Sequence, residues 1–437
     1  MRRLVVLGAG TAGTMVVNML RRRMSRDEWS ITVVDPATEH WYQPGFLFLP
    51  FGTYADRQVR KPLAPRLRPG IDLVRAAVER VDRAARTVVL DTGAELGYDY
   101  LVIATGTTPR PDQTPGLAEA LVGPQGAVHE FYTHAGATAL AERLAAFDGG
   151  RVVVHVTEMP VKCPVAPLEL TFLLEDHLTR RGLRDKVEIT YVTPLPGAFT
   201  KPVSSAHLGD MLTRRGIALE PDFVVESVDG EARVLRSYDE REIPFDLLVT
   251  VPVNMGADFV ARSGLGDELN YVPVDRHTLL SKADDRIFAI GDATDAPASK
   301  AGSVAHFEAD VLVPNLLAHV DGRPMPERFD GHANCFVESG RGRALLIDFN
   351  YDTEPLPGTY PVPGVGPMRL LRETRLNHWG KLAFRHLYWH MLLPGRRLPV
   401  PTHMSMAGKR RPPTVPVRPG GAGGAGPADG IRVPADF

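Results

Sequence analysis

Cysteine is nearly absent from this chain: Cys163 and Cys335 are the only two in 437 residues. They lie too far apart in sequence for a metal knuckle or a Cys-x-x-Cys redox pair, so no metal centre is expected. Two cysteines also exclude a disulfide-stapled secreted scaffold. No apolar run reaches 18 residues, which excludes a membrane-crossing helix of ordinary length. An excess of one charge is missing too, since 50 basic and 52 acidic residues leave a net charge of −2. No global field therefore favours nucleic acid as a partner. The apolar run Leu4 to Leu7 after Met1-Arg2-Arg3 is too short for a signal-peptide core, which points to the cytoplasm. What remains is a 44% hydrophobic chain long enough for two or three domains.

The strongest local pattern is N-terminal. Leu4-Val5-Val6-Leu7 reads as a buried strand, Gly8-Ala9-Gly10-Thr11-Ala12-Gly13 as a glycine turn, and Thr14 to Arg23 as a helix. A second strand, Ile31 to Val34, ends in Asp35, about 20 residues past Gly13, the spacing of a dinucleotide fingerprint. The glycines let the backbone approach a pyrophosphate at a helix N-terminus, where free N–H groups favour anions. Asp35 is suited to accept hydrogen bonds from the ribose.

Two later segments, Tyr98 to Gly106 and Ile287 to Ala293, read as buried strands ending in small-residue turns. With the glycine turn they resemble the hallmarks of the two-dinucleotide-binding-domain flavoproteins related to glutathione reductase. That resemblance implies FAD, with Thr105 and Gly106 near its nucleotide half and Asp292, after Gly291, on its ribityl chain. It also implies Gly8, Gly10, Thr11, Ala12, Gly13, Asp35, Gln43, Val78, Lys300 and Gly302 as cofactor-binding residues. The expected fold is α/β: two Rossmann-like dinucleotide-binding domains plus a C-terminal domain with amphipathic membrane-interface helices. The FAD domain is expected to be discontinuous, residues 1–110 and 280–325, with the second domain at 111–279. A flavin-covering and membrane-docking region follows at 326–408, then a disordered Pro/Gly-rich tail at 409–437. A helix from Lys300-Ala301-Gly302-Ser303 to about Leu317 would aim its N-terminus at the flavin. Lys300 either adds to that field or is a solvated charge.

The second domain opens on the strand Arg151 to Val156, where NADH-using relatives continue with another glycine turn. Here the turn is Thr157-Glu158-Met159-Pro160-Val161-Lys162-Cys163-Pro164, with no glycine to cradle a phosphate. A helix from about Pro164 to Arg181 follows. A thiol at a helix N-terminus beside Lys162 is expected to have a lowered pKa. The bland reading is that Cys163 packs in the turn as a small hydrophobe.

Cys335 lies beyond the FAD domain, in Phe329 to Glu338. In flavin disulfide reductases of this architecture the C-terminal segment covers the isoalloxazine, which would bring Cys335 to the ring. Next comes the most amphipathic stretch, Arg369 to Leu393. Leu376, Trp379, Ala383, Leu387 and Met391 recur at helical spacing, widened by Phe384 and Tyr388, opposite Arg372, Arg375, His378, Lys381 and Arg385. A helix over 376–393 is roughly 27 Å long. Burying Lys381 and Arg385 at a bilayer centre costs roughly 2.5–3.5 kcal/mol each, which disfavours spanning. An interfacial helix with its basic edge toward headgroups fits better, the alternative being a helix packed on the core or a dimer partner.

The flavin frame, the missing nicotinamide turn, one cysteine in each later domain and the basic-aromatic helix together resemble the sulfide:quinone oxidoreductase family. The resemblance covers about residues 2 to 408. It is most specific at Trp41 to Phe46, Pro160 to Cys163, the Cys335 segment, Leu376 to Lys381, Leu392 to Arg396, and Met404 to Lys409. It implies oxidation of hydrogen sulfide to polysulfide or sulfur at a cysteine pair, with electrons passed through FAD to a membrane quinone. Cys335 would be the thiolate beside the flavin and Cys163 would hold the growing persulfide. Many bacterial members carry a third cysteine, in the first domain, for product handling or flavin attachment. This chain lacks it, so FAD is expected to be non-covalent. The expected location is the inner face of the cell membrane, peripherally attached through residues 369–393, and a homo-oligomer is compatible with this. Two other readings stay open: a type 2 NADH:quinone oxidoreductase-like flavoprotein, and a flavin/thiol redox sensor without turnover.

Overall fold

The computed structural model describes residues 1–121, 125–398 and 400–411. Arg2–Leu7, Trp29–Val34, Asp72–Val74, Tyr100–Ile103 and Ile287–Ala289 form one parallel sheet. In space Arg2–Leu7 lies at its centre, beside Trp29–Val34 and Tyr100–Ile103, and Ile287–Ala289 closes the edge next to the latter. Leu4–Leu7, Leu101–Ile103 and Ile287–Ala289 are unbroken apolar runs buried on both faces, as a covered parallel sheet requires, while the edge strand Asp72–Val74 is partly exposed. Helix α1 (Thr11–Arg21) covers one face and buries Met15, Val16, Val17 and Leu20.

A second parallel sheet repeats the design. Gly150–Val156 is its centre, flanked by Leu247–Val251 and Val187–Val192, with Val128–His129 and Ile217–Glu220 at the edges. Its central strand leads through the turn containing Cys163 into helix α2 (Ala166–Arg180). A short antiparallel ribbon, Thr108–Pro109 with Asn254–Met255, links the segments entering and leaving this unit. The chain returns to the first sheet at Ile287–Ala289 and continues into helix α3 (Gly302–Val320), which packs against α1.

The last unit is a four-stranded sheet of Ala333–Glu338, Ala344–Phe349, Gly366–Leu370 and Gly358–Val362. Helix α4 (Arg375–Leu387) lies on it and continues as a π-helical turn, Tyr388–Leu392. The helix expected over 376–393 is present over 375–392, its last turn π-helical with Tyr388, Trp389 and Leu392 buried, while Arg369 and Leu370 before it end a strand. One apolar core runs from Leu4 through α2 and α3 to Leu393, so the three units share an interior. No helix among the described residues is long and apolar enough to cross a membrane.

The sequence places the tail's start too early. Lys409 bridges to Gly358, the Arg410 N–H donates to the Pro357 carbonyl, and the Lys409 side chain is buried against Asp348. His332 Nε2 (2.8 Å) and Asn334 Nδ2 (3.0 Å) meet the other Asp348 oxygen. Burial alone would raise the Asp348 carboxyl, but His332 and Lys409 hold it below the usual range. Residues 412–437, the rest of the expected disordered tail, lie outside the described residues.

Lys409→Met leaves a buried carboxylate short of its cation and should destabilise the protein by roughly 3 kcal/mol. The check is a lower urea midpoint at unchanged slope.

Candidate functional site

The first sheet brings the ends of three neighbouring strands together, and with them Gly8, Thr105–Gly106 and Gly291. Gly8 has φ +92°, and a Cβ there would sit 2.6 Å from the Ala104 carbonyl oxygen. A Cβ on Gly13 would meet the Gly8 carbonyl oxygen at 1.9 Å, so α1 can approach the strand only without a side chain. Gly10, Gly106 and Gly302 instead face open space, with nothing within 4 Å of their Cβ positions. Gly10 and Ala301 precede α1 and α3, and neither helix start has a side-chain cap. Thr11 and Ala12 form the first turn of α1, with Gly13. The Thr105 hydroxyl is buried without a partner. A bare glycine rim, two uncapped helix starts and an orphan hydroxyl fit the dinucleotide FAD.

Around that rim, the Asp35 carboxylate accepts the Ala9 N–H (2.6 Å) and the Ala37 N–H (2.8 Å), which fixes it at the strand end. Val78 begins an antiparallel strand just past Val74, whose carbonyl accepts the Asp35 N–H. Gln43 Oε1 accepts from Lys162 Nζ at 3.0 Å, so it contacts the second unit directly. Burial raises the Asp292 carboxyl against the opposing pull of Lys300 and Lys162. Lys300 is not a solvated charge: it is buried, its Nζ donates to the carbonyls of Thr294 (2.7 Å) and Asp292 (3.2 Å), and it lies 3.9 Å from the Tyr271 ring centre. On α3, Glu308 accepts the Gly291 N–H at 2.6 Å, and burial pushes its carboxyl up to about 7.

The cysteines approach from the other two units. Cys163 has φ +49° and its N–H donates to the Lys300 carbonyl at 2.6 Å, which draws its turn toward the first unit. Cys335 sits in the strand Ala333–Glu338, and the neighbouring Asn334 carbonyl accepts from Ser303 Oγ at the start of α3 (2.8 Å). Both residues are half-buried. An ionised Cys335 would raise Cys163 further, and Lys381 and Glu169 act on both.

The acidic thiol expected of Cys163 is overturned. Burial raises it strongly, Glu169 adds to the rise, and Lys381 only partly offsets them. The residue precedes the helix proper and meets the Ala166 N–H with its carbonyl, while Lys162 reaches away to Gln43. Cys335 is likewise pushed up to about 12 by burial, against the pull of Lys381.

Helix α4 presents the reverse of the expected orientation for part of its basic face. Leu376, Trp379 and Leu387 are exposed, Trp379 by 66%. His378 and Lys381 turn inward to Glu338 and Glu169. Glu169 Oε1 receives Lys381 Nζ and the Glu338 N–H, while its Oε2 is buried without a partner. His378 Nδ1 lies 2.9 Å from Glu338. Sequence reasoning missed Glu169, Glu338 and Glu308. A lone acid in the apolar run Ala166-Pro167-Leu168-Glu169-Leu170 was the one visible signal.

Residues 2–309 match the family model described as pyridine nucleotide-disulphide oxidoreductase. The chain is 28% identical to the mitochondrial sulfide:quinone oxidoreductase of Schizosaccharomyces pombe, over 81% of this chain and 82% of that one. Its identity to the mitochondrial sulfide:quinone oxidoreductase of Dictyostelium discoideum is 26%, over 90% of this chain and 86% of that one. The crystal structure of the sulfide:quinone oxidoreductase of Aquifex aeolicus superposes with a TM-score of 0.75 at 22% identity, covering 91% and 92% of the two chains. That likeness is one of fold.

Glu308 gives the site a pH signature. With its folded pKa raised to about 7, its stabilising contribution is full below about 4.5 and is lost as pH rises through 7. Glu308→Gln keeps an acceptor for Gly291 and should remove about 3 kcal/mol of that pH dependence. Urea unfolding at pH 5 and pH 8 measures it.

Proposed function

The chain belongs to the pyridine nucleotide-disulphide oxidoreductase family, and from that premise we propose that it oxidises hydrogen sulfide and delivers the electrons to a membrane quinone. One observation carries this reading: at the glycine-rimmed cradle Cys163 is tied to the Lys300 carbonyl and the Cys335 strand to Ser303, while Lys381, paired with Glu169, donates to the Phe336 carbonyl next to Cys335. Gly8, Gly10, Gly13, Asp35, Gly106, Asp292 and Gly302 would hold FAD non-covalently. When bound, FAD supplies a two-electron carrier between sulfur and quinone.

The residues divide the sulfur chemistry among them. Both cysteines are free thiols; oxidation to a Cys163–Cys335 bridge, with the quinone as final acceptor of the two electrons and solvent of the two protons, readies them. Hydrosulfide then attacks the bridge: one S–S bond breaks, Cys163 keeps the persulfide and Cys335 leaves as thiolate. Both thiols favour the protonated state here, so the departing thiolate needs the Lys381 ammonium nearby. Glu169, with a free buried oxygen, is suited to take up the sulfide proton. The glycine-free turn 157–164 supports sulfur, rather than a nicotinamide, as the donor at this unit.

Membrane docking follows from α4. A helix in water hides its apolar stripe and exposes its charges, whereas α4 exposes Leu376, Trp379 and Leu387 and turns Lys381 inward to Glu169. Val362 and Val365, at the tip of the hairpin joining the last two strands, are exposed as well, and Arg372 and Arg375 flank the stripe. This suits an interface position on the inner face of the cell membrane.

Anaerobic sulfide should bleach the flavin within one turnover, and Cys163→Ser or Cys335→Ser should abolish the bleaching. Bleaching by NADH and not by sulfide would sink the reading in favour of an NADH dehydrogenase. Bleaching by sulfide without repeated quinone reduction would leave a redox sensor. Trp379→Asp with Leu387→Asp should abolish co-sedimentation with anionic vesicles while leaving sulfide bleaching intact. If the double variant instead converts a dimer to a monomer, the stripe belongs to a second copy.

A further inference from the structure

The cradle's glycine turn is gripped from outside the nucleotide-binding fold. His40 Nδ1 lies 3.1 Å from the Ala9 carbonyl oxygen, and His40 Nε2 lies 2.6 Å from the Tyr388 hydroxyl. The same hydroxyl lies 2.8 Å from Thr11 Oγ1. Ala9 and Thr11 are the neighbours of Gly10, the residue that faces open space. A chain of three hydrogen bonds therefore arches from one side of Gly10 to the other.

Its proton directions are fixed. A carbonyl only accepts, so His40 Nδ1 must donate to Ala9. Burial lowers the His40 pKa to about 4, so the ring is neutral and Nε2 is an acceptor. Tyr388 then donates to His40, the Trp41 carbonyl at 3.4 Å being a far poorer acceptor. That leaves Thr11 to donate to Tyr388. The Thr11 hydroxyl proton is committed, and Thr11 can offer a phosphate only its backbone N–H.

We propose that His40 and Tyr388 are positioning residues for FAD, a clamp across Gly10 that presets the pyrophosphate loop and makes the C-terminal segment part of the cofactor site. Tyr388 immediately follows α4, and its segment is fastened to α1. Asn18 Nδ2 donates to the Leu393 carbonyl (2.7 Å), and Arg22 donates to the carbonyls of Pro394 (2.7 Å) and Gly395 (2.8 Å). His40 and Tyr388 are 2% and 0% exposed, so an unmade link leaves buried polar atoms without partners. Ordering the loop before the ligand arrives lowers the entropy lost on binding. The clamp rests on the reading that this cradle holds FAD.

The test is FAD release from the full-length holoprotein after dilution, followed by the gain in flavin fluorescence. Tyr388→Phe and Thr11→Val both break the Tyr388–Thr11 link, the former with the His40 link as well, and should each speed release about tenfold. Because they cut one chain, the double variant should also release about tenfold faster rather than a hundredfold. Leu392→Ala, in the same buried segment but outside the chain, should lower the melting temperature without speeding release. Release by Tyr388→Phe within twofold of the wild type, or multiplying effects in the double variant, would overturn the clamp. If Tyr388→Phe yields no folded protein, Thr11→Val, at a partly exposed position, decides by the same threshold. Wild-type protein that never retains FAD would refute the cofactor reading itself, which is a separate outcome.

Discussion

The buried pair between Lys381 and Glu169 is the contact on which the rest depends. Lys381 comes from α4 and Glu169 from α2, and the same Glu169 oxygen takes the Glu338 N–H from the third sheet. Lys381 also donates to the Phe336 carbonyl, one residue past Cys335. A buried ion pair seldom stabilises a fold better than apolar packing would, but losing one partner is costly. Its value here is orientation. Hydrophobic burial alone would turn Leu376, Trp379 and Leu387 inward; the pair turns them out. The charge that modulates both thiols thus also decides which face of α4 meets the surroundings.

Much of the architecture was legible because it is written in short-range rules. The apolar runs Leu4–Leu7 and Val152–Val154 read as buried parallel strands, and Gly8 and Gly13 occupy positions where a Cβ collides with backbone. Those constraints act over a few residues. The facing of α4 was not legible: helical spacing separates Leu376, Trp379 and Leu387 from His378 and Lys381 but does not say which set meets water. The deciding partners, Glu169 and Glu338, lie far away in sequence. Lys409 misled for the same reason, since its composition suggests a solvated tail and only Asp348 explains its burial.

Cys163 shows a local rule failing for a physical reason. A basic neighbour and a following helix ordinarily acidify a thiol. Here the neighbour's ammonium goes to Gln43, and the helix supplies a carboxylate in its first turn together with a dry environment. Under the proposed function the thiolate is a state formed during reaction, with Lys381 as the cation that assists it.

The glycine-free turn that carries Lys162 and Cys163 has a consequence for wiring. A flavin open to reduced nicotinamides would drain the coenzyme pool into any acceptor it touched. The second parallel sheet keeps the shape of a nucleotide-binding half, yet its turn is fastened to the Lys300 carbonyl and offers a thiol instead of a phosphate cradle. Under the proposed function the turn is insulation. Sulfur becomes the one terminal through which current enters, and the respiratory acceptor is charged without a short circuit to the rest of metabolism.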